Sequence, residues 1–289
     1  MSILQNKIDF ALVFSVHNAN PNGDPLDGNR PRTNYDGYGE ISDVCLKRKI
    51  RNRLQDMHQK IFVQSDDRSD DGCRSLKERL DSVPDLNKWM KDRKAFSEAA
   101  CKQWMDVRAF GQVFAFKKKD DQEGDSIGVR GPVSIQAAVS QDPVDVTSMQ
   151  ITKSVNLEFD PKNPGKKGSD TMGMKHRVDF GIYVAYGSIN SQLAEKTGFT
   201  QEDAHLIRDA LRTLFENDVS SARPDGSMEV LRLYWWTHNV KTGQYPSAKV
   251  HKLLKVSKKA DVERARAAND YDIDVEELPG LACEKYIEA

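Results

Sequence analysis

The sequence predicts an α+β fold: a sheet of alternating strands backed by two helices. Three observations point there. Residues 8–16 and 178–189 alternate in side-chain character at period two, and VLRLYWWT at 230–237 is a third strand-like run. Residues 42–57 and 200–216 repeat apolar side chains at helical spacing. With two polar insertions set aside, the order is strand, helix, strands, strand, helix, strand.

In the first strand Ile8, Phe10, Leu12, Phe14 and Val16 share a face. Residues 17–40 follow, so dense in Asn, Asp, Gly and Pro that a long loop is expected; Asp24, Asp27 and Asp36 lie in it. Ser42 suits an N-cap and Asp43 the positive end of the helix dipole. Leu46, Ile50, Leu54 and Met57 form the helix's apolar stripe. Lys47 and Arg51 flank that stripe on one side, Lys49 and Arg53 on the other, and Arg48 points further out. A helix so anchored presents cations around its remaining surface, which suits a polyanion such as a nucleic-acid backbone. The competing reading is an ordinary solvated face.

Residues 59–105 read as a partly helical insertion, irregular over 61–83 and helical over 86–105, where Leu86, Trp89, Met90, Phe96 and Trp104 recur. Strand-like sequence resumes at 107–116, breaks at KKKDDQEGDS and returns at 128–139. There GVRGP brackets Arg130 with glycines, allowing close backbone approach to a ligand or marking a bulge. Residues 147–177 are expected to form a long hairpin between core strands. Its apolar residues Phe159, Met172 and Met174 accompany the cations Lys153, Lys166, Lys167, Lys175 and Arg177. Such pairing suits wedging between bases while gripping phosphates; the alternative is a charged loop whose methionines pack back on the body. Val178, Phe180, Ile182, Val184 and Tyr186 then share a face, while Gly181, Ala185 and Gly187 leave the other bare. Thr200 and Asp203 resemble a capping box ahead of the stripe Ala204, Ile207, Leu211, Leu214 and Phe215. Residues 230–237 form the last core strand, 249–259 are basic, 261–268 helical, and an acidic tail ends the chain.

The chain has 289 residues, 38% hydrophobic and 30% charged, with no run of membrane-spanning length and no secretory pattern at its start. Four cysteines without a CxxC pair fit reduced thiols in the cytoplasm and no structural zinc. Net charge is −1, but seven acids against Lys285 make residues 270–289 strongly acidic and leave the rest basic. No HExxH, P-loop, GxGxxG or GxSxG occurs, so no catalytic residue, metal or cofactor is assigned. Aspartates in loops usually make Asx-turns. The element order is the ferredoxin-like, or RNA-recognition-motif, plan. The aromatic signature of that motif is missing, so any RNA contact falls to loops, the first helix and the insertions.

Five runs resemble the backbone subunit of the CRISPR Cascade complex, type I-C: NPNGDP (20–25), RPRTNYDGYGEISDVCLKRKIRNRL (30–54), DVRAFGQVF (106–114), GVRGPVSIQ (128–136) and TMGMKH (171–176). They are collinear across residues 8–240. The resemblance implies a non-enzymatic, repeat-associated RNA-binding protein shaped like a right hand. Its palm, a modified RNA-recognition fold, would be 1–57, 106–147 and 178–240; its helical fingers 58–105; its hairpin thumb 148–177; residues 241–289 would be an extension. It implies that copies polymerise along one guide RNA (crRNA) in the cytoplasm with other Cascade subunits. Each thumb would displace a nucleotide and leave segments free to pair with target DNA. Carried onto this sequence, the RNA-binding residues would be Lys47, Arg48, Lys49, Arg51, Arg53, Arg130, Lys153, Lys175 and Arg177, with Phe159, Met172 and Met174 as wedge candidates. The alternative is a metal-dependent ribonuclease cutting from Asp24, Asp27 or Asp36, by analogy with related type III subunits.

Overall fold

The computed structural model describes residues 2–84, 86, 92–116, 125–152, 159–160, 163–167 and 172–287. The chain opens with β1 (Ile8–Ala19), buried without a break from Ile8 to Val16. The Asn- and Pro-rich segment is not bare loop: it holds β2 (Gly23–Asp24), one turn of 3-10 helix (Pro25–Asp27), β3 (Arg30–Pro31) and β4 (Tyr38–Ile41). Ser42 caps α1 (Asp43–Asp56) by accepting the Cys45 N–H, and Leu46, Ile50 and Leu54 are fully buried. The first insertion contains α2 (Leu76–Asp81), α3 (Arg93–Gln103) and α4 (Met105–Phe110), followed by the paired strands β5 (Gly111–Phe116) and β6 (Asp125–Arg130). α4 stands where a strand was expected to begin. Its turn buries Met105, Val107 and Ala109 and brings the Asp106 carboxylate onto the N–H groups of Phe62 and Val63. Leu86 is buried in the insertion's own core with Phe62, Phe96, Trp104 and Phe114; Trp89 and Met90 lie outside the described residues.

Next come β7 (Val133–Ile135), β8 (Ala138–Pro143), β9 (Val146–Thr152), β10 (Phe159–Asp160), β11 (Asn163–Lys167) and the long β12 (Met172–Ile189). α5 (Ser191–Thr197), α6 (Gln201–Arg212) and β13 (Met228–Thr237) complete the core, with the expected capping box of Thr200 and Asp203 at the start of α6. The C-terminal part adds α7 (Ser247–His251), β14 (Leu254–Lys258), β15 (Tyr271–Val275) and β16 (Ala282–Ile287).

The main sheet is antiparallel in the order β16-β13-β1-β12-β8-β4, with β7 and β9 also on β12. Its inner four, β13-β1-β12-β8, are fourth, first, third and second in the chain, the ferredoxin-like arrangement the element order predicted. α1 and α6 cover one face, packing Leu46, Ile50, Ile207 and Leu211 on Phe10, Leu12 and Phe14.

Four expectations are corrected. Val178 lies on the helix-covered face, opposite Phe180 and Ile182, because alternation slips where Asn18 takes φ +52° and skips a ladder position. The face of Gly187 is not bare: the Phe10 ring, stacked on Trp235 at 5.6 Å, fills the place a side chain would need. β13 is not the last strand, since β16 pairs along it from Arg232 to Thr237. Residues 261–268 form no α-helix but belong to the β14–β15 connection, which ends in one turn of 3-10 helix (Ala268–Asp270) where the Asp270 carboxylate accepts the Arg266 and Ala267 N–H groups. Val250, Leu253, Leu254 and Tyr271 lie over Ala11, Val13, Ile182 and Trp236, so the C-terminal part covers the sheet's second face.

Candidate nucleic-acid interface

The cations of α1 were expected to point outward. Most are instead held by the chain itself. Lys49 is 3% exposed and ion-paired with Asp218; burial pushes its pKa down, and Asp218 opposes that shift. Arg51 donates from Nε to Asp106 Oδ2 at 2.9 Å and lies 5.1 Å from the Phe110 ring. Arg53 donates to Thr213 Oγ1 at 2.7 Å and pairs with Glu216. Arg48 donates to the Val63 carbonyl at 2.6 Å, and burial together with Arg51 pushes its pKa down. Lys47 keeps a surface pair with Asp43, 3.0 Å away and one turn back. Arg48 and Arg51 thus fasten the first insertion to α1, while Lys49 and Arg53 fasten the segment after α6. For Lys49, Arg51 and Arg53 the correction has one cause: carboxylates from distant sequence fold onto the helix's flanks.

Arg130 is exposed and has no acidic partner among the described residues. The glycines around it serve the backbone. Gly111, at φ +79°, and Gly131 cross so closely that a Cβ on either would strike the other's strand, whereas Gly128 faces open space. Pro132 bonds to Asn190 beyond the end of β12, and Lys175 and Arg177 lie near its start. At about 3.3 Å per residue, roughly 40 Å of strand separates them, so Arg130 shares no site with those two.

β9 and the first part of β12 form the hairpin expected over 147–177, in a register running from Thr152↔Met172 to Val146↔Val178. Period two puts Met172, Met174 and His176 on one face with Ser148 and Gln150, and Lys175 and Arg177 on the other with Met149 and Thr147. The methionines do not pack back: Met172 is 67% and Met174 56% exposed. Neither Lys175 nor Arg177 meets a carboxylate among the described residues, and Arg177 Nε is buried without a hydrogen-bond partner there. Lys153 lies outside the described residues, and of Phe159 only its place in β10 is described.

Sequence reasoning missed a junction at the root of this hairpin. Arg30 Nη1, on β3, donates to Ser148 Oγ at 2.8 Å, and Ser148 Oγ is 2.7 Å from His176 Nδ1. The signal available was the alternation of Met172, Met174 and His176 within TMGMKH; Arg30 carries no local mark.

The first-segment aspartates serve turns and pairs. Asp24 Oδ1 accepts the Leu26 N–H at 3.1 Å and Arg32 Nη2 at 3.3 Å; Asp27 is 3.7 Å from Arg30; the Asp36 N–H donates to Asn34 Oδ1. Among the described residues no group of three or more His, Cys, Asp or Glu is placed to hold a metal. A buried polar cluster sits at the other end of β1. His238 Nδ1 accepts the Gln244 N–H, so its Nε2–H donates to Asp9 Oδ2 at 2.8 Å, which Lys7 also holds at 2.9 Å.

A family model described as CRISPR-associated protein Cas7 matches residues 6–276. The chain belongs to the Cas7 family. A relative from Haloferax volcanii, CRISPR-associated protein Cas7, is 27% identical over 285 residues, spanning 94% of this chain and 82% of the relative. A chain of a solved structure titled "CRISPR RNA-guided surveillance complex, pre-nicking" is similar at TM-score 0.47 and 14% identity, over 80% of this chain and 78% of that one. A chain titled "CRISPR RNA-guided surveillance complex" is similar at TM-score 0.42 and 16% identity, over 80% and 68%. The Cas7 match takes in the hairpin, α1 and the β14–β15 cover, while β16 lies beyond it. No helix among the described residues of this Cas7 chain is long and apolar enough to cross a membrane.

Proposed function

We propose that this Cas7 chain is a guide-RNA-binding spine subunit of a type I-C Cascade surveillance complex. Copies polymerise along one crRNA in the cytoplasm, beside other subunits, and hold it for pairing with target DNA without cutting it. The palm, fingers and thumb divide as 1–57, 106–147 and 178–240; 58–105; and 148–177. The observation that supports the reading is the hairpin itself, which exposes Met172 and Met174 on one face and carries Lys175 and Arg177 on the other. Lys153, Lys175 and Arg177 grip phosphates, and Met172, Met174 or Phe159 wedges at a displaced nucleotide. Lys47 and Arg130 add peripheral charge. Arg48, Lys49, Arg51 and Arg53 act from beneath, by holding the insertion and the segment after α6 in place.

Anisotropy titrations of single-stranded RNA against salt test this. Lys175→Ala with Arg177→Ala is expected to weaken binding and to lower the salt slope by about one for each phosphate no longer neutralised. Unchanged affinity and slope would overturn the assignment. Labelled RNA is expected to stay intact with Mg²⁺; cleavage abolished by Asp24→Asn would establish the ribonuclease instead.

A further inference from the structure

We infer that Arg30, Ser148 and His176 form a second phosphate site, on the methionine face of the hairpin, taking a backbone phosphate of a bound single-stranded RNA. The inference rests on the RNA-binding reading above but uses different residues, on the face opposite Lys175 and Arg177. Its ground is a contrast within the chain. Lys49, Arg51, Arg53, Arg79 and Arg108 each hold a carboxylate within the protein. Arg30 crosses from β3 to β9 and donates to the Ser148 hydroxyl, which in turn meets the His176 imidazole; its one acid is Asp27, in an exposed ion pair 3.7 Å from Nε rather than a hydrogen bond. A guanidinium has five N–H donors, and Ser148 engages one.

The Ser148–His176 bond leaves an outward donor in either arrangement of a neutral ring. If the hydroxyl donates to Nδ1, Nε2 carries the proton; if Nδ1–H donates to the hydroxyl oxygen, the serine O–H is free. Nε2 of His176 has no partner among the described residues. A guanidinium fork beside such a donor matches the non-bridging oxygens of a phosphodiester. Met174 and Met172 continue along the same face at two-residue steps, placing exposed apolar groups where bases adjoining that phosphate would lie.

The probe is a single-stranded RNA, titrated with the full chain over a salt series beside an oligomer with uncharged methylphosphonate linkages. Arg30→Gln is expected to weaken RNA binding about tenfold and lower the salt slope by about one, with little effect on the uncharged oligomer. Ser148→Ala, at an exposed position, and His176→Gln should each weaken binding severalfold. A slope kept at the wild-type value in Arg30→Gln, with Lys175→Ala still lowering it, would overturn this site and leave the RNA-binding reading standing. Loss of affinity at constant slope would mark Arg30 as merely structural and also overturn it. Failure of the unmodified chain to bind RNA would remove both. If Arg30→Gln does not fold, Ser148→Ala and His176→Gln decide by affinity alone: severalfold weaker RNA binding with the uncharged oligomer unaffected supports the site, and unchanged RNA affinity in both overturns it.

Discussion

At the scale of single residues, Arg51 and Lys47 are separated by one helical turn and by their whole energetic role. Asp106, fully buried, accepts two backbone N–H groups and the Arg51 guanidinium. Removing the guanidinium leaves a buried carboxylate without its counter-charge, which typically costs about 3 kcal/mol or more. Arg51→Ala should therefore lower the urea midpoint sharply, while Lys47→Ala, at a half-buried i,i+4 pair on the surface, should change stability by at most about 0.5 kcal/mol. Equal midpoints for the two variants would show that the fastening is not energetic. Asp71 gives a pH test of the same kind. Hydrogen bonds from the Arg79 guanidinium hold its carboxyl down to about 2, below the value of 3.8 for a free aspartate. A carboxyl depressed on folding stabilises the protein fully above the unfolded value and loses that contribution as pH falls through the folded one. Stability should thus decline between pH 4 and pH 2 more steeply in the wild type than in Asp71→Asn; parallel curves would refute the coupling.

At the scale of elements, the GVRGP run supplies two glycines with opposite expected behaviour. A Cβ at Gly131 would collide with the Ala109 carbonyl and the Gly111 amide, backbone atoms that cannot rotate away. Gly131→Ala should therefore destabilise by about 2 kcal/mol, through overpacking. Gly128→Ala meets nothing within 4 Å and should be neutral or slightly stabilising, since it narrows the unfolded ensemble. Thermal melts of the pair check this, and similar losses in both would refute the crossing of strands. The same comparison explains what was legible beforehand. The α1 stripe, the Thr200 capping box and the β9–β12 hairpin were readable because each depends on residues at most some thirty positions apart. The partners of Lys49, Arg51 and Arg53 were not, because Asp218, Asp106 and Glu216 stand 169, 55 and 163 positions away and only the packed fold brings them in. Residues 261–268 failed for a related reason: the helix-favouring composition of ERARAA yields to closure of the β14–β15 hairpin, where Lys259 bonds to Asp270 across the connection.

At the scale of the whole molecule, the balance of 43 Lys and Arg against 44 Asp and Glu is also a pairing in space. The basic and acidic runs near the C-terminus become facing strands, with Lys255 directly opposite Asp274, and their inner faces supply the cover over the sheet. That cover carries much of the fold. Without residues 241–289 the second face of the sheet would expose Ala11, Val13, Ile182, Val184 and Trp236, and the loss of β16 would open the backbone edge of β13. Contiguous apolar surface beside an unpaired strand edge drives association. The truncated chain 1–240 is therefore expected to bind a hydrophobic dye, lose near-UV circular dichroism and aggregate. Removing only residues 279–289 keeps α7, β14 and β15 in place. That variant should fold with its near-UV signal intact, at a melting temperature lower by a few degrees, and self-associate with rising concentration through the bared edge. The buried bond from His238 to Asp9 separates the two cases further, because His238 is held by the Gln244 N–H, which the longer truncation removes. A soluble, cooperatively melting chain of residues 1–240 would show that the cover is dispensable and that the sheet is stable with one face open.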